Sequence, residues 1–189
     1  MTSRRPTERQ RAADEQVLAE RAKQGDQDAF ASLVRRHAPV AHRVAYLITR
    51  SAAEADDALQ DGTVKAFYAL DRFRGDRPFR PWFTAIVANE ARNRVRSGVR
   101  REALRLRIAG DTPAPSPEEE TLAEQQRAEL LRHLDDLPNK LREAVALRHV
   151  LAFSERETAE ALRIRPGTVK SRVSRGLEQL RDSMTGVGE

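Results

Sequence analysis

The chain of 189 residues contains no cysteine. Disulfides, thiolate nucleophiles and thiolate zinc sites are therefore excluded. Aromatic residues are scarce at 5%, so a cluster of them marks either a core or a site. No apolar run approaches the roughly 20 residues that a membrane-spanning helix requires, and the Arg-rich, Glu-containing start lacks the apolar centre of a signal peptide. A cytoplasmic protein with no membrane contact of its own is expected. Lysine is rare as well: of 34 basic residues only Lys23, Lys65, Lys140 and Lys170 are lysines, and the other 30 are arginines. Arginine presents a planar fork that fits phosphate and guanine edges, so the bias suits nucleic acid, although a GC-rich genome would produce it equally. Against 29 acidic residues the net charge is +5 and the isoelectric point about 10.2, a mild pull toward polyanions. Strand-like alternation and internal repeats are also missing, which leaves an all-α chain long enough for two small domains.

What is present is concentrated at the C-terminal end, in SERETAEALRIRPGTVKSRVSRGLEQLR, residues 154 to 181. Ser154 and Glu157 have capping-box spacing and predict a helix start, with Ala159 and Leu162 facing inward. A three-residue break, Arg163–Arg165, leads to Pro166 at the first position of a second helix, where its fixed φ is suitable and its missing N–H costs nothing. Val169, Val173, Leu177 and Leu180 then form one apolar stripe. Gly167, Thr168, Lys170, Ser171, Arg172, Ser174 and Arg175 fill the remainder with short donors and guanidinium groups, the composition of a recognition helix in a major groove. An isolated basic helix is more often a solvated face; the capped helix and short turn before it favour a helix-turn-helix.

The rest of the chain divides legibly. Residues 1–22 read as a polar arm, ordered only near its end. Asp26 predicts a helix cap before a stripe of Phe30, Leu33, Val34, Val40, Val44 and Leu47, with Pro39 predicting a bend near His37. Ser51 and Glu54 open another helix to about Leu70, in which Leu59, Val64 and Phe67 face inward. A helix from Trp82 to about Arg107 follows the loop DRFRGDRPFRP. Residues 108–120, with alternating prolines followed by glutamates, form an extended spacer between an N-terminal domain at 23–107 and a C-terminal domain at 121–185. The latter begins with helices over 121–136 and 139–151.

Two further groups carry chemistry. Asp56, Asp57, Gln60 and Asp61 share one flank of a helix and make an acidic ridge. It reads as a solvated face, as a docking surface for a basic partner, or as part of a two-metal site. The metal reading lacks a second ligand cluster nearby in sequence, so no metal or other cofactor is expected. His37, His42, His133 and His149 lack i, i+4 spacing and read as structural. In the second group, Phe73, Phe79 and Trp82 alternate with Arg72, Arg74, Arg77 and Arg80 around Gly75. Such interleaving holds single-stranded nucleic acid, bases on rings and phosphates on guanidinium groups. The alternative is that Phe79, Trp82, Phe83 and Ile86 are core, and Trp82 and Ile86 are expected to be so in part. Asn89, Arg92, Asn93 and Arg96 supply polar groups on the following helix.

Taken together, GDQDAFASLVRRHAPVAHRVA, EADDALQDGTVKAF, FRGDRPFRPWFTAIVANEARNRVR, LDDLPNKLREAVALRHV and the C-terminal pair resemble the extracytoplasmic-function (ECF) group of bacterial RNA polymerase sigma factors, over residues 24 to 96 and 122 to 182. The resemblance implies a subunit without catalytic activity that binds core RNA polymerase. Asp56, Asp57, Gln60 and Asp61 would dock on the polymerase clamp. Phe73, Arg74, Gly75, Phe79, Trp82, Asn89, Arg92, Asn93 and Arg96 would capture the −10 non-template strand. Gly167, Thr168, Lys170, Ser171, Arg172, Ser174 and Arg175 would read the −35 duplex beside the polymerase flap, and an anti-sigma factor is the expected inhibitor. The chain departs from the family pattern at Arg163, where glycine is usual, at Arg165, where a capping Ser or Asp is common, and at Gly176, where alanine is usual. The competing readings are a stand-alone helix-turn-helix regulator and, far behind it, a metal-dependent nuclease.

Overall fold

The computed structural model describes residues 8–75, 77–105, 133–134 and 136–185. The expected spacer at 108–120 and most of the helix expected over 121–136 lie outside the described residues. Within them the regular structure is helical: α1 (Glu8–Lys23), α2 (Gln27–Thr49), α3 (Ala52–Tyr68), a 3-10 turn (Leu70–Arg72), α4 (Phe79–Arg105), α5 (Asn139–Val145), a π-turn (Ala146–Val150), α6 (Glu155–Leu162) and α7 (Pro166–Thr185). The chain forms two compact units, one holding α1 to the first half of α4, to Arg92, and the other holding α5 and α7.

In the first unit the expected arm is largely a helix. α1 buries Ala19 and Ala22, and Gly25 turns the chain at φ 94°, a left-handed conformation that glycine adopts without strain. Asp26 then caps α2 by accepting a hydrogen bond from the Ala29 N–H at 2.9 Å. That bond, with the Arg21 guanidinium as the next contribution, holds the Asp26 carboxyl below its ordinary range. α2 runs through Pro39 as one helix from Gln27 to Thr49. Proline there removes one helical hydrogen bond, but its site is exposed, and Phe30, Leu33, His37, Ala41, Val44 and Ile48 are buried on either side of it along the helix.

α3 packs differently from its apolar pattern. Its buried face is Ala55, Ala58, Gly62 and Ala66. Leu59 is only half-buried, and Val64 and Phe67 are exposed. Small side chains allow the backbone of α3 to lie close to its neighbour, and that closeness turns the larger apolar residues away. Ser51 caps the helix by accepting from the Glu54 N–H at 3.3 Å.

In the second unit, Leu134, Leu137, Val145 and Leu180 form a buried cluster with Leu177 packed against it. The helix expected over 139–151 is α-helical only to Val145 and widens into the π-turn. Gly176 of α7 is buried where α7 meets α5: a β-carbon there would lie 2.5 Å from Val145 Cγ2. Glycine at this departure from the family pattern is thus what permits the contact.

Candidate nucleic-acid interface

The C-terminal helix pair is built locally by its own caps. The Ser154 N–H donates to Glu157 Oε2 at 2.8 Å and the Glu157 N–H donates to Ser154 Oγ at 3.2 Å, a reciprocal capping box that satisfies two unpaired donors. α6 ends where the Arg163 N–H donates to the Glu160 carbonyl and the Ile164 N–H to the Ala159 carbonyl, at 3.1 and 2.9 Å. This paired bonding is the Schellman arrangement, which needs a left-handed residue between helix and turn. Arg163 fills that place at φ 54°, the conformation glycine would adopt with less strain.

Pro166 begins α7, and the Arg165 carbonyl accepts from the Thr168 and Val169 N–H groups. Val169 and Leu180 are buried and Val173 and Leu177 half-buried, so the apolar stripe holds the helix down. Gly167, Lys170, Ser171, Ser174 and Arg175 are exposed, with Thr168 and Arg172 partly so. The exposed five recur at i, i+3, i+4, i+7 and i+8, one continuous arc of the helix. Arg175 Nε donates to the Ser171 carbonyl at 3.3 Å, which lays the start of its guanidinium along that arc.

In the first unit Asp56, Asp57, Gln60 and Asp61 are all exposed on α3. His42 Nε2 of α2 lies 2.9 Å from Asp56 Oδ1, close enough for an ion pair, though out of line for a hydrogen bond. Among the described residues no group of three or more His, Cys, Asp or Glu side chains converges as a metal site.

The aromatic loop is split by burial. Phe73 and Phe79 are 3% and 0% exposed, so their rings are core and are not presented to a base, against the reading of all three aromatics as stacking platforms. Their centroids stand 5.5 Å apart edge-to-face, and Trp82 packs 4.9 Å from Phe73 and 5.3 Å from Phe79. Trp82 and Ile86 are half-buried. The physical reason is the shortage of large apolar residues: α1 and α3 pack through alanines, and the loop aromatics complete the core. Arg72, Arg74 and Arg77 are exposed around this aromatic base, and Arg80 is partly exposed. On α4, Asn89, Arg92 and Asn93 are partly exposed and Arg96 fully so; Arg96 donates to Asn93 Oδ1 at 2.9 Å. Lys65 of α3 donates to the buried Glu90 at 2.5 Å, tying α3 to α4.

A cavity of about 170 Å³ opens beside the loop, lined by Glu15 and Gln16 of α1 and by Phe73, Gly75, Arg77, Pro78 and Phe79. Glu15 Oε1 pairs with His37 Nε2 of α2 at 2.6 Å, and Glu15 Oε2 accepts the Phe79 N–H at 3.2 Å. Burial opposes ionisation of Glu15, but the bond and charge of His37, the Phe79 N–H and the nearby Arg36 outweigh it and hold its carboxyl below the ordinary value of 4.5. No spacing rule links positions 15, 37 and 79, which is why the sequence did not reveal them.

A capped helix, a left-handed turn and an exposed basic helix define a DNA-binding protein of the helix-turn-helix class, here joined to a separate helical unit. Comparison with known proteins narrows that class. The sigma-70 region 2 family matches residues 33–101, and sigma-70 region 4 matches residues 127–180. The ECF RNA polymerase sigma-E factor of Escherichia coli (strain K12) is 36% identical over 178 residues, 88% of this chain and 92% of that one. That of Haemophilus influenzae is 30% identical over 182 residues, 90% of this chain and 95% of that one. Among solved structures, CnrH in complex with the cytosolic domain of CnrY superposes with a TM-score of 0.68 at 27% identity, covering 93% of this chain and 99% of that one. The sigma factor RpoE of Bartonella quintana, in complex with the anti-sigma factor NepR, shares the fold with a TM-score of 0.69 at 24% identity, covering 82% and 96%. The chain belongs to the ECF RNA polymerase sigma factors.

Proposed function

We propose that this sigma factor grips one promoter at two places while bound to core RNA polymerase. The arc Gly167, Thr168, Lys170, Ser171, Arg172, Ser174 and Arg175 reads the −35 element as duplex. Arg74, Gly75, Trp82, Asn89, Arg92, Asn93 and Arg96 engage the −10 non-template strand, while Phe73 and Phe79 shape that surface from beneath. Asp56, Asp57, Gln60 and Asp61 dock on the polymerase clamp, the second domain rests on the flap, and residues 108–120 tether the domains at 23–107 and 121–185. Nucleotidyl transfer belongs to the core enzyme, and the factor works in the cytoplasm; among the described residues no helix is long and apolar enough to cross a membrane.

The observation that carries the reading is the pairing, in one chain, of an exposed duplex-reading helix with an exposed acidic ridge that a stand-alone regulator would not use. An anti-sigma factor is the inhibitory partner that membership of the ECF sigma factors implies for this chain. The test is run-off transcription with purified core polymerase on a genomic promoter library. Promoter-specific starts that vanish when Asp56 and Asp57 are both reversed to Lys, with far-UV circular dichroism unchanged, support the proposal. Full binding to polymerase by the reversed protein removes the docking assignment.

A further inference from the structure

The helix that precedes the region 2 match does more than complete the core. We infer that Glu15 and Gln16 of α1 are positioning residues for the aromatic and arginine loop, holding its backbone in the shape that receives the opened −10 strand. The inference rests on the reading of that loop given under Proposed function.

The buried rings of Phe73 and Phe79 anchor the two ends of the loop. Between the 3-10 turn and α4 the Arg77 N–H donates to the Arg74 carbonyl at 3.1 Å, and Gly75 and Pro78 break regular structure. It is also held from outside, along one side of α1. Gln16 Nε2 donates to the Gly75 carbonyl at 2.9 Å. The two oxygens of Glu15 join His37 of α2 to the first backbone N–H of α4. One turn on, a β-carbon at Gly75 would lie 3.0 Å from Glu20 Oε1, the end of an exposed side chain of α1. Lys23 Nζ stands 6.0 Å from the centre of the Phe73 ring and pairs with Glu20 at 3.0 Å.

These contacts serve a purpose beyond packing. Arg72, Arg74 and Arg77 crowd three like charges onto one short segment, which would spread in water if nothing restrained it. Glu15 and Arg77 line the same cavity beside that segment. A loop ordered before the strand arrives spares the ordering that would otherwise oppose binding, and supporting hydrogen bonds are what hold such groups in place.

The test uses the full-length protein in holoenzyme on a promoter selected by run-off transcription. Permanganate reactivity of unpaired thymines reads opening at −10, and emission of Trp82, the chain's one tryptophan, reads the loop. Gln16→Ala is expected to lower the rate of opening about threefold, the size of one lost neutral bond, and Glu15→Gln about tenfold, the size of a lost charge-assisted bond; both shift Trp82 emission in the free protein. Core polymerase affinity and −35 duplex binding stay at wild-type values. Val17→Ala, an exposed change on the same helix, leaves both signals where they were. Should Glu15→Gln fail to fold, Gln16→Ala decides, because Gln16 is exposed. Unchanged opening and emission in Gln16→Ala overturns the inference, as does a parallel loss of polymerase and −35 binding. If the wild-type holoenzyme opens no −10 region at all, the reading of the loop fails first.

Discussion

A β-carbon placed on Gly62 would lie 2.7 Å from Val87 Cγ2 and 3.0 Å from Val87 Cα. Side chain and backbone of α4 both occupy the space that any larger residue at position 62 requires. The face of α3 against α4 is thereby set, and the acidic residues at 56, 57 and 61 are left outward. Gly62→Ala should destabilise the protein by about 1–3 kcal/mol, although alanine is the better helix former by about 1 kcal/mol. Urea unfolding monitored by circular dichroism gives the sign. Gly167→Ala provides the contrast: nothing lies within 4 Å of a β-carbon there, and stability should rise.

Gly176 and Val145 offer the same relationship in the second unit, with a different outcome for the pair. The clash at 2.5 Å is with the end of a side chain alone. Gly176→Ala should therefore destabilise by about 1 kcal/mol or more, and adding Val145→Ala should recover part of that loss. A double-mutant cycle with a coupling below about 0.5 kcal/mol would mean the two helices simply move apart.

Arg163 holds a left-handed turn that its β-carbon disfavours. Arg163→Gly should stabilise the protein by about 1 kcal/mol, seen as a higher midpoint of thermal unfolding. Sequence preference at −35 should not change, since the residue belongs to the turn and not to the recognition arc.

The lowered carboxyl of Glu15 predicts an acid limb. A carboxylate favoured in its charged form by the fold contributes stability that is present above its ordinary value and lost as pH falls through the depressed folded one. Stability should thus decline as pH drops from 4.5 downward, and Glu15→Gln should flatten that part of the profile relative to the wild-type protein. Equal acid slopes in the two proteins would contradict the assignment.

Arg175→Ala distinguishes base reading from phosphate contact. A bidentate contact to guanine predicts a loss of about 1–3 kcal/mol confined to one position of the −35 element. Competition binding against single-base variants measures it. A uniform loss with a shallower salt dependence would assign Arg175 to the backbone instead.

The caps explain why so much was legible in the sequence. Asp26, Ser51 and Ser154 with Glu157 each act within three or four residues, so spacing alone reveals them, and the stripe of α7 fits helical periodicity. The inward face of α3 was not legible, because Leu59, Val64 and Phe67 satisfy the same periodicity as the alanines that the fold in fact buries. The burial of Phe73 and Phe79 is hidden for a similar reason: interleaved aromatics and arginines look alike whether the ring points into solvent or into a core short of large side chains.

The sequence by itself determined that the chain is helical, where most helices begin, and that its last helix carries an exposed basic face. These properties depend on hydrogen bonds and periodicities spanning a few residues. Only the tertiary structure decided that α1 is part of the first unit, that Gly62 and Gly176 are contact points, and that Glu15 joins His37 to Phe79. Those relationships connect positions far apart in the chain, and they exist only once burial has brought the helices together.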